Sequence, residues 1–197
     1  MPKVVSEHEK EMVKETMYAK GIALIRKKGV KRVTVEDITS AANIGKGSFY
    51  SYYNSKEELL YAIIKKGEKR MFERTESILS EKIKLKDRLV KAAKEVYLAP
   101  DSIVLYVSPS DLEYLFRKLP DEAADWEAIK SNDYFSKTLS LCGIDETKCE
   151  MDVLAYLMSA LHFVATTDAA YGEPGREKTL DILVHSIADY MAGAAKQ

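Results

Sequence analysis

Residues 34–58, TVEDITSAANIGKGSFYSYYNSKEE, constrain the fold more tightly than any other part of the chain. Thr34 followed by Asp37 is a capping box, in which a hydroxyl and an acid three residues apart satisfy each other's backbone N–H groups at a helix start. Ile38 with Ala41 or Ala42 forms the buried side of the short helix that follows. Asn43-Ile44-Gly45 then makes a tight turn, because Asn tolerates left-handed angles and Gly45 can serve as the next N-cap. Ile44, the lone apolar residue of the turn, is expected to plug the space between the helices. A second short helix is expected from Lys46 to about Tyr53, and Ser55 with Glu58 opens a third helix through another capping box. The pattern over residues 34–53 is a helix-turn-helix.

The second helix is crowded with polar groups: Lys46, Gly47, Ser48, Tyr50, Ser51 and Tyr52. A buried helix would not carry so many hydroxyls, whereas the major groove of DNA accepts them. A helix-turn-helix presents the N-terminal residues of its second helix to base edges. Lys46 sits there and can reach a phosphate or guanine O6/N7; the alternative is a merely solvated lysine. Gly47 costs a helix interior about 0.5–1 kcal/mol relative to Ala, which points to close backbone approach, either to DNA or to a neighbouring helix. Ser48 and Ser51 share one face, and Tyr50 and Tyr52 can donate to phosphate oxygens. Phe49 and Tyr53 are expected to face inward. Thr34 and Lys56 lie at helix N-termini, where free N–H groups favour a phosphate; capping is their other role.

The charge distribution agrees. Residues 1–56 hold 11 Lys+Arg against 6 Asp+Glu, a balance of +5, within a chain of net charge -1. The remaining 141 residues therefore carry -6. A basic head on an acidic body suits phosphate binding by the head.

The stretch from Met17 to Leu60 resembles the DNA-binding domain of the TetR family of transcriptional regulators. Gly29 after the first helix, Thr34–Ile38, Ala41-Ala42, Lys46-Gly47-Ser48, Tyr50–Tyr53 and Ser55–Leu59 carry the resemblance. Asn43 stands where the family often has Gly, and Asn54 where it often has Pro. The resemblance implies a DNA-binding domain over residues 8–66 and a ligand-binding and dimerisation domain over residues 67–197. It also implies a double-stranded operator, a small-molecule effector of unknown identity and a homodimer as partners.

The rest of the chain reads as helical nearly throughout, so the expected fold is all-α. Leu59, Leu60, Ile63, Ile64, Met71 and Phe72 can pack along a helix reaching to about residue 80. Ser110 with Glu113 suggests another capping box, and an acidic, aromatic helix is expected over roughly Asp121–Leu139. Two strong helices, about Glu146–Tyr171 and Arg176–Ala192, close the chain. Their apolar residues Leu154, Met158, Leu161, Leu180, Leu183, Val184 and Ile187 are expected at a dimer interface, as part of a two-fold four-helix bundle, or else in the intrachain core. Candidate pocket residues are Phe72, Tyr97, Tyr106, Phe116, Trp126, Tyr134, Tyr156 and His162, since apolar pockets with a few polar groups suit small ligands; aromatics at helical spacing also build plain core.

Other classes find little support. No nucleophile elbow, P-loop or HExxH motif is present, so neither an enzyme nor a cofactor is expected. Cys142 and Cys149 are not spaced as a CxxC site, and neither a disulfide framework nor a metal is expected. No run approaches the 18 or so apolar residues of a membrane span, and the charged N-terminal stretch is unlike a signal peptide. A cytoplasmic protein is expected. The expected function is repression by operator binding, relieved by a small molecule. Activation, ligand-independent DNA binding, or an adaptor that has lost DNA binding are the alternatives.

Overall fold

The computed structural model describes residues 6–119, 134–144, 147–167 and 172–195. Among them the secondary structure is helical, and the only ladder contact is an isolated bridge between Ile144 and Ala195. The chain divides into two compact units, Met1–Gly67 with Tyr106–Ile129, and Glu68–Leu105 with Lys130–Gln197.

The first unit is built around four helices, α1 (Glu7–Lys28), α2 (Val35–Ala42), α3 (Lys46–Tyr50) and the start of α4 (Lys56–Leu79), joined by α6 (Pro109–Lys118). Ser6 and Glu9 cap α1 reciprocally, and Arg26, Lys27 and Lys28 in its last turn complement the helix dipole. Gly29 ends it with φ 74°, a left-handed value that favours glycine. Met17, Ile25, Val30, Val33, Ile38, Phe49, Leu59, Leu60, Ile63 and Ile64 are buried and form the core of this unit. Each such side chain contributes on the order of 1.5–3 kcal/mol of transfer free energy. A Cβ at Gly21 would stand 2.2 Å from Ile63 Cδ1, so any larger residue there would force the end of that side chain to shift.

The expected capping box before α6 is corrected by two residues. Ser108, not Ser110, is the N-cap, and Asp111, not Glu113, returns the bond to its backbone N–H. Pro109 fixes the register, since it fits the first helical position, where no N–H is needed.

The second unit contains the rest of α4, α5 (Leu85–Ala92), α7 (Tyr134–Leu141), α8 (Met151–Thr166) and α9 (Glu173–Gly193). A π-helical turn, Ala93–Tyr97, continues α5. Its core joins Leu79, Leu89, Leu139, Cys142, Ile144, Cys149, Leu154, Leu161, Val184, Ile187, Ala188 and Met191. Arg176 ties α9 to the end of α8 by donating to the carbonyls of Val164 (3.1 Å) and Ala165 (2.6 Å). These are among the carbonyls a helix C-terminus leaves without partners.

Several residues expected at a dimer interface, or else in the intrachain core, lie in this core. Leu154, Leu161, Val184 and Ile187 are buried within one chain, and Met158, Leu180 and Leu183 pack against the same cluster. Met158, Leu180 and Leu183 are half-buried, and other residues of α8 and α9 are more exposed. Val153, Tyr156, Ala160 and Phe163 are exposed along α8, with Tyr156 79% and Phe163 67% accessible, and Ile182 is exposed on α9.

Candidate nucleic-acid interface

The helix-turn-helix is assembled by short-range hydrogen bonds. Thr34 Oγ1 accepts from Asp37 N–H at 3.1 Å, while Asp37 accepts from Thr34 N–H at 3.0 Å. Lys28 Nζ also donates to Asp37 at 2.6 Å, and this bond, with the bond from the Thr34 backbone, holds the carboxyl below its ordinary range. Asn43 takes left-handed angles, φ 53° and ψ 47°, and is the single non-glycine residue with positive φ among the described residues. Gly45 is the N-cap of α3.

The second helix is shorter than expected. It spans Lys46–Tyr50, and the N–H groups of Tyr52 and Tyr53 both turn back onto the Phe49 carbonyl. Ser51 closes the helix, donating its hydroxyl to Ser48 O at 2.6 Å. Phe49 is fully buried, with the Tyr50 ring edge-on at 5.2 Å and the Tyr53 ring at 6.2 Å. Burial raises the Tyr53 hydroxyl above its usual pKa, with Glu58, Glu11 and Glu15 adding to the effect.

The opposite face of α3 is open. Lys46, Gly47, Ser48 and Tyr50 are exposed, and Tyr52 is half-buried. A Cβ built on Gly47 meets nothing within 4 Å, so no neighbouring helix among the described residues requires a glycine there. Lys46 forms an ion pair with Glu36 of α2, which draws the lysine above and the glutamate below their ordinary pKa values.

Lys56 behaves differently from a surface lysine. Its ammonium donates to Val33 O at 2.7 Å and Lys31 O at 3.2 Å, and lies 5.8 Å from the centre of the Tyr114 ring. It therefore fastens the loop before α2 to the start of α4. Ser55 caps α4 through Glu58 N–H at 3.1 Å, but the Glu58 carboxylate bonds Asn54 N–H, one residue earlier than a regular box. The sequence reading missed the contribution of α6. Tyr114 donates to Glu57 at 2.8 Å, and Lys31 reaches Ser110 at 3.2 Å and Asp111 at 4.0 Å. Only the long separation in sequence hid these contacts.

The candidate pocket residues divide. Phe72, Tyr97 and Tyr134 line one cavity of the second unit, of about 230 Å³, together with Glu68, Met71, Thr75, Val104, Thr138 and Met158. His162 is not among these lining residues, and its Nδ1 lies 3.4 Å from the Tyr97 hydroxyl. Tyr106 and Phe116 belong to the first unit, under Arg26 and against Tyr61 respectively. Tyr156 is on the surface, and Trp126 lies outside the described residues. Cys142 and Cys149 are buried, and burial pushes the Cys142 thiol up to about 11, away from thiolate chemistry. Among the described residues no cluster of three His, Cys, Asp or Glu is arranged to hold a metal, and no helix is long and apolar enough to cross a membrane.

Comparison with known proteins agrees with this geometry. Residues 18–63 match the family model described as bacterial regulatory proteins, tetR family. No curated protein sequence matches the chain. Among solved structures, the fatty acid degradation regulator FadR from Bacillus halodurans is similar at a TM-score of 0.56 and 16% identity, covering 94% of this chain and 97% of that one. A TetR-family transcriptional regulator from Haemophilus influenzae is similar at 0.53 and 19%, covering 90% and 97%. Residues 18–63 are thus similar to the tetR family of bacterial regulatory proteins, and the chain shares a helical fold with these two structures along most of its length.

Proposed function

We propose that the protein is a homodimeric repressor that binds a palindromic operator through α3 and is released by a small molecule held in the second unit. The observation that carries the DNA reading is the two-sided character of α3. Phe49 anchors it, and Lys46, Gly47, Ser48 and Tyr50 face outward with free space beside Gly47. Bare backbone at that spot suits close approach to a groove. Tyr50, Tyr52 and the N–H groups after Thr34 serve phosphates, which position the head; Lys46 and Ser48 are the groups nearest base edges. Lys56 contributes by holding the head together, its ammonium donating to the Val33 and Lys31 carbonyls.

The dimer reading rests on the exposed apolar stripe of Val153, Tyr156, Ala160 and Phe163 on α8, with Ile182 on α9. A contiguous apolar face of this kind marks an interaction surface. The effector reading rests on the cavity. Its Met71, Phe72 and Thr75 belong to α4, the helix whose first turns carry Leu59 and Leu60 into the core of the head. A ligand that favours one position of α4 would shift the population of DNA-competent heads. FadR is named for fatty acid degradation, but the described lining of this cavity offers an acyl carboxylate no Lys, Arg or His.

Selection of bound duplexes from a random pool tests the function. The expected product is a two-fold symmetric site whose affinity falls steeply with salt, by a log–log slope of about -0.9 per phosphate contact. Enrichment of no sequence, or a flat salt dependence, would contradict it.

A further inference from the structure

Resting on the reading of the cavity as the effector site, we propose that its ligand is a compact neutral molecule, a single substituted ring bearing one hydroxyl that pairs with Thr75. Size comes first. An apolar cavity of about 150 Å³ holds benzene, and ordinary ligand pockets start near 300 Å³. At about 230 Å³ this one fits a ring with a short substituent better than a long acyl chain. The wall supplies the second argument. Met71, Phe72, Val104, Tyr134 and Met158 give it apolar area, and the Phe72 and Tyr134 rings stack on each other at 4.9 Å. Burial of ligand carbon against such a wall is favourable in proportion to its area, and the two thioethers adapt to an irregular outline.

The polar groups around the cavity decide the charge and the one directional contact. Thr138 donates to the Tyr134 carbonyl at 2.7 Å, and the Tyr97 hydroxyl lies 3.4 Å from His162 Nδ1. Glu68 has an interaction of its own, and Lys137 Nζ stands 5.5 Å from the Tyr134 ring centre. These groups are thus already engaged within the protein. An ion of either sign would give up its water without gaining a dedicated partner among the described lining residues, a cost that a neutral ligand avoids. Thr75 differs. It lies on α4 one turn beyond Met71, and its hydroxyl has no hydrogen-bond partner among the described residues. That hydroxyl can donate to or accept from a single ligand hydroxyl.

The test uses the full-length protein without DNA and four probes built on one ring. These are 4-isopropylphenol, cumene, which lacks the hydroxyl, the anion 4-isopropylbenzoate and the cation phenyltrimethylammonium, each titrated by calorimetry. The phenol is expected to bind about fivefold tighter than cumene, the worth of one hydrogen bond, and roughly tenfold or more tighter than either ion. Thr75→Val keeps the side-chain shape and should remove the advantage of the phenol while leaving cumene unchanged. Val104→Phe should fill the cavity and abolish binding of both, with helicity confirmed by circular dichroism in each variant. Tighter binding of either ion than of the phenol, binding of none of the four, or an unchanged phenol-to-cumene ratio in Thr75→Val would overturn the proposal. Operator release by 4-isopropylphenol is measured separately. A phenol that binds as described but leaves operator affinity unchanged would contradict the effector reading, while the ligand class would stand.

Discussion

At the scale of single residues, two positions separate folding from DNA binding. Gly47 has open space where a Cβ would go, so Gly47→Ala should leave the protein as stable or up to about 1 kcal/mol more stable. The same substitution should weaken operator binding if the backbone there approaches DNA. Denaturant titration beside fluorescence anisotropy on labelled operator reads both effects, and unchanged affinity would assign Gly47 no part in the contact. Glu36 shares Lys46 with any incoming phosphate. Glu36→Gln frees that ammonium and removes a negative charge beside the groove-facing helix. Tighter binding to DNA of any sequence is expected, by a few-fold at low salt, and the gain should shrink as salt rises. Protonating Glu36 has the same sense. Its depressed pKa places the release of Lys46 well into the acid range, so the pair persists at neutral pH. Residue identity alone made Phe49 legible as an anchor and Lys46 as a surface group. It could not show that Lys56 points inward, because a lysine is usually solvated and the carbonyls of Lys31 and Val33 are brought to it only by the fold.

At the scale of elements, caps were the most readable signals where hydroxyl and acid fall at a fixed spacing, as in Thr34 and Asp37. The same signal misled at α6, where two overlapping candidates stood side by side and Pro109 was the deciding residue. Ser108→Ala should cost about 1 kcal/mol, whereas Ser110→Ala, losing only exposed bonds to Lys31 and to the Ser108 hydroxyl, should stay within about 0.5 kcal/mol. Chemical denaturation of the two variants checks this, and equal losses would contradict the assigned cap. Helix α3 ended earlier than the pattern suggested because Ser51, a poor helix residue, turns its hydroxyl onto the Ser48 carbonyl. The helices of the second unit were legible by period, but the face each buries was not. Both faces of α8 are apolar, so Leu154 and Tyr156 look equally suited to an interface until packing is known. Burial decides, with Leu154 inside and Tyr156 outside.

At the scale of the whole molecule, assembly follows from that division. Tyr156→Glu and Phe163→Glu change exposed positions, so both should keep full helicity while shifting the protein to monomers. Leu154→Arg buries a charge without a partner and should abolish cooperative unfolding instead of yielding a folded monomer. Light scattering after size exclusion, with circular dichroism on the same fractions, separates the outcomes. A wild type that is monomeric at micromolar concentration would contradict the dimer. A single head makes half the contacts of a pair, so the monomeric variants should also lose operator affinity.

If the outward face of α3 meets DNA, a double variant on that face should lose the operator. Lys46→Ala combined with Tyr50→Phe removes the exposed ammonium and the exposed phenol while leaving Phe49 and its core untouched. Operator affinity of this variant is measured by gel shift at matched salt, with circular dichroism and dimer mass as controls. Helicity and mass should be unchanged and operator binding lost. Wild-type affinity in the double variant would contradict it.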